Sequence, residues 1–379
     1  MGVLDYEALR VIWWVLLGVL LIGFAVMDGF DLGTGMLLPF VARSDGERRV
    51  AINTVGPVWE GNQVWLILGA GAIFAAWPAV YAVAFSGFYL AMFLVLCSLI
   101  LRPVGFKFRS KMPGQRWRAA WDWLLLVGGL VPALIFGVAV GNALSGVPFK
   151  FDGDLRLIYE GGLIGLLHPY ALLCGLVSVA MLIMHGGAYL AAKTPEPVAG
   201  RASHAVVLGA LVLVLLFAVA GVWTAESQGY RVTGALPHDG PSNPIGKTAE
   251  HAAGAWLANY GIMPWTLLAP ALGFAGALAA AALTRYRRDG LAWVASAVAV
   301  VGVVATAGVS MFPFILPSSI DPGSSLTVWD SSSSAMTLLV MLAAAAIFVP
   351  IIIAYTGFVY SVLRGRVTQQ QVDADHSSY

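Results

Sequence analysis

The chain has 379 residues, of which 59% are hydrophobic and only 11% charged, and its formal net charge is +1. A soluble globular protein carries roughly 25% charged residues, so this chain cannot solvate a surface of its own size and much of it must face lipid. The near-zero net charge also excludes a global field that would gather nucleic acid or acidic substrates.

A membrane helix needs roughly 20 mainly apolar residues. The first such run covers 11–38, after an opening that carries Asp5 and Glu7 instead of a basic stretch, so no cleavable signal is expected. Eight more runs follow, over 58–77, 80–101, 122–145, 159–190, 204–224, 258–283, 291–316 and 335–362. They are continuous and do not alternate, so helices are predicted and barrel strands are not. The fold class is an all-α membrane protein of about nine transmembrane helices, with 1–379 a single integral membrane domain that ends in a short polar tail over 366–379. Pro132, Pro169, Pro264, Pro270 and Pro350 lie in the runs and can kink them. The 43 glycines suit close helix contact.

Sixteen of the 21 basic residues fall in the odd-numbered loops and the C-terminal tail, so the positive-inside rule predicts a C-terminus in the cytoplasm and an N-terminus outside. The longest outer loop, 225–257, holds Pro237, Gly240, Pro241 and Pro244, all turn formers. No loop has room for a soluble catalytic domain, so chemistry belongs to the bundle or to a partner. Cys97 and Cys174 lie inside apolar runs and read as buried packing thiols; neither has a second metal ligand at metal spacing.

Charged groups at membrane depth cost about 2.5–3.5 kcal/mol each at a helix centre, so each needs a reason. Asp28 and Asp31 share a helical face, thinned by Gly29, Gly33 and Gly35. Two crowded carboxylates can pass protons; alternatively they are solvated ends at the cytoplasmic interface. Glu60 and Gln63 share a face in Trp59-Glu60-Gly61-Asn62-Gln63-Val64-Trp65, where an acid in a first helical turn is also a simple response to the helix dipole. Arg102 closes the third run and Asp122 opens the fourth, and they are expected to form a structural ion pair across the basic loop. Trp329-Asp330 followed by Ser331 to Ser334 reads as the start of the ninth helix. Histidine is the residue to check for haem. His168 and His185 share the fifth run and cannot clamp a haem from both sides; His204 opens the sixth, and His238, His251 and His376 lie outside the runs. No haem ligand, metal ligand or catalytic residue is assigned to this chain.

These residues resemble a known family. Trp13-Trp14, Gly23 to Gly33, Gly61-Asn62-Gln63-Val64-Trp65-Leu66, Phe74 to Pro78, Phe85 to Tyr89, Arg102 to Phe106, Trp121-Asp122-Trp123, Met311 to Phe314 and Ser324 to Asp330 resemble, in order and over nearly the whole chain, subunit II of cytochrome bd-type quinol oxidases. The resemblance implies a complex that oxidises quinol, reduces dioxygen to water and contributes to the proton gradient in the bacterial inner membrane. It implies a partner, subunit I, that carries the b-type and d-type haems, and it allows for small single-helix accessory subunits. It also implies two four-helix bundles plus one peripheral helix, and a quinone in a structural role in some members. By position, Asp31 and Glu60, with Asp28 beside them, match a proposed proton route, and Trp65 a proposed oxygen route. Glu60 departs from the Asp expected there, and His168 from an expected Asn. On the residues alone, a secondary transporter and a cofactor-free scaffold are the competing classes.

Overall fold

The computed structural model describes residues 5–374, so His376 and the last residues of the polar tail lie outside the described residues. Helix α1 runs over Tyr6–Val41, capped by the Asp5 side chain, which accepts the Ala8 N–H at 2.7 Å. A short helix α2, Asp45–Val55, follows; then come α3, Trp59–Ala76, α4, Pro78–Gly87, and α5, Tyr89–Lys111. The remaining long helices are α6, Gln115–Ser145, α7, Pro169–Lys193, α8, Val198–Glu226, α9, Leu268–Arg285, α10, Asp289–Met311, and α11, Ala335–Val362, before the short α12, Gln369–Ala374.

Eight of these segments are long and apolar enough to cross a membrane by length and composition; α3 is not among them, because Glu60, Asn62 and Gln63 fill its first two turns. It nevertheless runs the whole height of the bundle. Asn62, near its start, reaches Asp31 low on α1, while Ala76, at its end, accepts the N–H of Ser333, the residue that the Tyr6 hydroxyl also contacts. Its 18 residues rise about 27 Å at 1.5 Å each, close to a bilayer core. Among the described residues eight helices thus qualify as crossings by composition, against the nine expected, and α3 matches them in reach without matching them in apolarity.

The boundaries shift in physically instructive places. The predicted 80–101 run breaks at Phe88, and the membrane-length helix is α5, which carries Arg102 in its interior and ends at Lys111. The predicted 159–190 run begins ten residues late, because Leu157–Tyr159 is a strand and Pro169 opens α7. Pro169 and Pro264 both stand at helix starts, where a missing N–H costs nothing, whereas Pro132 and Pro350 lie inside helices as expected. The 291–316 run stops at Met311, just before Pro313.

Three antiparallel hairpins cover the end of the bundle that holds Tyr6: β1, Phe149–Phe151, with β2, Leu157–Tyr159; β3, Gln228–Val232, with β4, Ala249–Ala253; and β5, Phe314–Leu316, with β6, Leu326–Thr327. Helices α1, α3, α5 and α6 form one group, and α7 to α10 a second, joined where α1 and α6 meet α7. Helix α11 leans on α1 and α3 at the edge, with only 6% of its most apolar stretch buried. Ser334 caps it by accepting the Thr337 N–H at 3.2 Å, as the serine run predicts. Cys97 is exposed on α5, contrary to the packing role expected for it, and Cys174 is half-buried; both are free thiols.

The two groups meet at a glycine crossing. A Cβ at Gly186 of α7 would lie 2.5 Å from the Gly33 carbonyl carbon of α1, and one at Gly33 would run into the Leu182 carbonyl oxygen. Only glycine lets these backbones touch. At the opposite end from Tyr6, α2 is held by a capping box between Ser44 and Glu47, and the Glu47 carboxylate also accepts Arg201 of α8 at 2.7 Å. Partial burial raises the pKa of Glu47, but the Arg201 bond and the Arg43 and Ser44 N–H groups outweigh it and hold the carboxyl below the usual carboxylate range. Helix α12 docks on α2 through Arg49 and Asp373 at 2.9 Å, so the polar tail is held as far as Ala374.

Two outcomes follow. Gly33→Ala lowers stability by about 1–3 kcal/mol through overpacking, read as an earlier melt in detergent, while Gly18→Ala, with open space around it, leaves the melt unchanged or slightly later. Because the folded state holds Glu47 ionised, its contribution is present above the ordinary carboxylate range and is lost as pH falls through the depressed value; hydrogen exchange in α2 rises with acidification, and Glu47→Gln removes that pH dependence.

Candidate functional site

Asp28 and Asp31 lie three residues apart on α1, so one face of that helix presents both carboxylates. Neither is a solvated helix end: they are 0% and 1% exposed. Arg102 of α5 faces them. Its two terminal nitrogens donate to the two oxygens of Asp28 at 2.9 and 2.6 Å, a bidentate fork, and one of them lies 3.7 Å from Asp31 Oδ2. From α3, Asn62 Nδ2 donates to Asp31 Oδ2 at 2.9 Å. From α11, the Tyr360 hydroxyl donates to Asn62 Oδ1 at 2.9 Å. Asp31 Oδ1 is buried with no hydrogen-bond partner.

Four helices thus converge on three buried charges. One guanidinium balances one carboxylate, so the cluster is neutral when it holds one proton and carries a net negative charge when both acids are ionised. A buried acid with one bonded and one open oxygen is a group that can take up and release a proton. Around it lies an aromatic wall. Phe30 stacks on Tyr189 at 4.1 Å, and Trp293 and Tyr360 present their edges to Phe30.

The expected pair of Arg102 with Asp122 does not form. Helix α5 continues through Arg102, so Arg109, two turns further on the same face, is the residue that reaches Asp122, at 2.5 Å, joined by Arg48 of α2 at 2.7 Å. Arg109 and Arg118 also hold Asp45, at 3.0 and 2.6 Å. Asp122 therefore anchors the α2–α5–α6 junction and Arg102 belongs to the acid cluster.

Glu60 is not brought to the cluster. It sits in the first turn of α3 with its side chain 68% exposed, 3.5 Å from Lys107. Two residues from Asn62, it points roughly 200° around the helix from it. Trp65 is buried, and its indole packs on Gly23 of α1. The histidines are engaged locally. The Nε2 of His185 pairs with the Val26 carbonyl at 2.8 Å and its Nδ1 with Ser296 Oγ at 2.8 Å, which leaves no ring nitrogen free. His168 caps α7, accepting the Ala171 N–H on Nδ1 at 3.4 Å. His204 is bonded to the Gly200 carbonyl, His238 stacks on Trp329, and His251 packs on Tyr230. Among the described residues no three His, Cys, Asp or Glu side chains are placed to hold a metal ion.

Comparison with known proteins gives this cluster its context. The family profile described as cytochrome bd terminal oxidase subunit II matches residues 9–363. The chain is 49% identical to the cytochrome bd-I ubiquinol oxidase subunit 2 of Escherichia coli, over 99% of this chain and 100% of that one. The chain belongs to the cytochrome bd terminal oxidase subunit II family. It is also 50% identical, over the same shares, to a probable cytochrome oxidase subunit 2 of Haemophilus influenzae, and 30% identical to the cytochrome bd ubiquinol oxidase subunit 2 of Bacillus subtilis over 96% of this chain and 98% of that one. Among solved structures, the bd oxidase of Geobacillus thermodenitrificans matches 94% of this chain and 98% of that chain with a TM-score of 0.62 at 17% identity, a likeness of fold. Membership of the bd oxidase subunit II family leaves the transporter alternative without support.

Two members of the network, Asn62 and Tyr360, carry no signal of their own in the sequence. Asn62 sits in a motif whose acid draws attention first. Tyr360 lies near the end of an apolar helix nearly 300 residues away. Removing Arg102 leaves two buried carboxylates without a counter-charge, so Arg102→Met destabilises by about 3–5 kcal/mol. Adding Asp28→Leu to Arg102→Met recovers part of that loss in the yield and melting of detergent-extracted protein. Equal melting of Arg102→Met and the parent would rule out a charge-bearing role for the pair.

Proposed function

We propose that this chain is the haem-free subunit II of a quinol-oxidising, dioxygen-reducing complex of the bacterial inner membrane, packed against a haem-bearing subunit I. The full-length kinship with subunits of ubiquinol oxidases supports the assignment. Haem b and haem d belong, in this reading, to subunit I, where they would supply the redox chemistry. His185, buried in the bundle, fits that division, since both its ring nitrogens are committed within the fold. Small single-helix subunits and membrane lipid are the further partners of the complex, and quinol and dioxygen its substrates. A structural quinone in this chain would find polar groups and an aromatic wall in the cleft of about 460 Å³ lined by Tyr159, His168, Tyr170 and Trp223 at the hairpin-covered end.

The N-terminus is periplasmic and the C-terminus cytoplasmic in this proposal. The charge asymmetry supports it, because Arg48, Arg49, Arg109, Arg118 and Arg201 all pair at the end where α12 docks. The acid cluster then lies towards the cytoplasm, on the side from which protons must be drawn. Dioxygen is apolar and can pass between helices from lipid, with Trp65 bordering such a path; protons need polar groups. The observation that carries the proton role is the open Oδ1 of buried Asp31 beside the Arg102–Asp28 fork. Asp31 takes and releases the proton, Asp28 fixes the guanidinium that keeps the site charged, and Glu60 collects protons at the exposed mouth beside Lys107.

The test is made on the purified complex. A reduced-minus-oxidised spectrum shows haem co-purifying with this chain; its absence would end the oxidase assignment. Asp31→Asn slows oxygen consumption by about tenfold or more with the haem spectrum intact, and Glu60→Gln slows it less. An unchanged rate in Asp31→Asn would sink the proton role.

A further inference from the structure

We infer that Tyr360 and Asn62 form a positioning pair that leaves Asp31 Oδ1 as the proton-accepting atom, and that Tyr360 ties the peripheral helix α11 to this site. The inference rests on the proton role proposed for Asp31 and adds to it the groups that orient the acid.

The hydrogen-bond directions are fixed by chemistry. Asp31 can accept at Oδ2 only from the amide nitrogen of Asn62, so the amide oxygen must point the other way. It meets the Tyr360 hydroxyl, which has a proton to give. Reversing the Asn62 amide would set its oxygen against a carboxylate oxygen and its N–H₂ against a hydroxyl that must then turn its proton elsewhere. The ionised carboxylate thus selects the amide orientation, and the Tyr360 hydroxyl, by donating to the amide oxygen, supports it and holds the amide in place. Asn62 is 2% exposed, so water cannot readily take over either bond. Both oxygens of Asp28 are taken by Arg102. The unpartnered Oδ1 of Asp31 is what remains among the four carboxylate oxygens.

The charged and titratable groups that face Asp31 come from several elements: Asp28 on its own helix, Arg102 on α5, Tyr189 on α7 and Tyr360 on α11. The Tyr189 hydroxyl is occupied, donating to the Thr54 carbonyl at 2.7 Å. Tyr360 acts on Asp31 through Asn62. Helix α11 buries little surface and is bonded near its start by the Trp13 indole, which donates to the Leu338 carbonyl at 2.8 Å; the Tyr360 bond is its tie at the acid-cluster end.

The experiment uses the intact complex and compares Tyr360→Phe and Asn62→Leu with the parent and with Tyr355→Phe, an exposed tyrosine on the same helix. Losing one buried hydrogen bond lowers turnover about three- to tenfold, with the haem spectrum unchanged. A bond from Asn62 favours the ionised carboxylate, so both variants move the pH profile of turnover to higher pH, and the double variant goes no further than Asn62→Leu alone. Tyr355→Phe follows the parent. A profile for Tyr360→Phe that overlays the parent, while Asp31→Asn remains slow, would overturn the positioning pair and leave the proton role standing. An unaffected Asp31→Asn would remove the proton role itself.

Discussion

A guanidinium buried between two carboxylates sets the arrangement of the half of this protein remote from Tyr6. In lipid, Arg102 has no water to fall back on, and neither do Asp28 and Asp31. Leaving any of them alone costs several kcal/mol, so the helices that carry them must meet. The glycine crossing at Gly33 and Gly186 brings α7 and its aromatic wall against the same stretch of α1. Asn62 draws the polar start of α3 inward, and Tyr360 brings the edge helix after it. A short, polar-ended segment such as α3 is a poor membrane helix by itself, yet it is placed by two hydrogen bonds to groups that need partners.

Much of the architecture was legible because apolar runs of membrane length are rare without a membrane to cross. The ninth run, 335–362, matches α11 residue for residue in extent. What the runs could not give was where a helix stops inside an apolar stretch. Hydropathy hardly changes at Phe88 or at Met311, but the backbone does: a break at Phe88 ends α4, and α10 stops at Met311, just before Pro313. The same blindness misassigned Arg102. Placed at a helix end, its nearest acid in sequence is Asp122; placed inside α5, it faces α1, and Arg109 inherits Asp122. Partners 74 residues apart, as Arg102 and Asp28 are, follow from which helix faces touch, and a single sequence carries little about that. Charge cost at depth did single out both aspartates, because that argument depends on position along one helix and not on tertiary contacts.

The opposite end of the bundle shows what buried charge looks like when it serves only to hold a structure. Arg10 is fully buried, and its nitrogens go to Ser332 Oγ at 2.8 Å, the His238 carbonyl at 2.6 Å, the Gly240 carbonyl at 3.0 Å and Ser242 Oγ at 3.1 Å, with Tyr6 stacked beneath it. Those acceptors are neutral and cannot take a proton from it. Nearby, Lys247 and Asp330 pair at 2.6 Å. Burial there raises the Asp330 carboxyl and lowers the Lys247 amine, and their mutual attraction offsets only part of each shift. The pair joins the 225–257 loop to the segment before α11 and closes that end.

The acid cluster differs in its charge balance, the property on which the proposed proton role rests. Every donor of Arg10 that the fold reaches ends on a fixed acceptor, and the Lys247–Asp330 pair matches one charge with one charge. The Asp28–Arg102–Asp31 cluster has one cation for two acids, so its charge is settled only by a proton, and one of its four carboxylate oxygens has nothing to hold it. A structural lock would be better built with the second acid replaced by an amide, which would satisfy the same hydrogen bonds without the charge. The fold instead supplies an amide from Asn62 to orient that acid, and a tyrosine to orient the amide. An acid held in this way, with one oxygen kept open, is costly as a strut, and that cost is what the proposed proton role would account for.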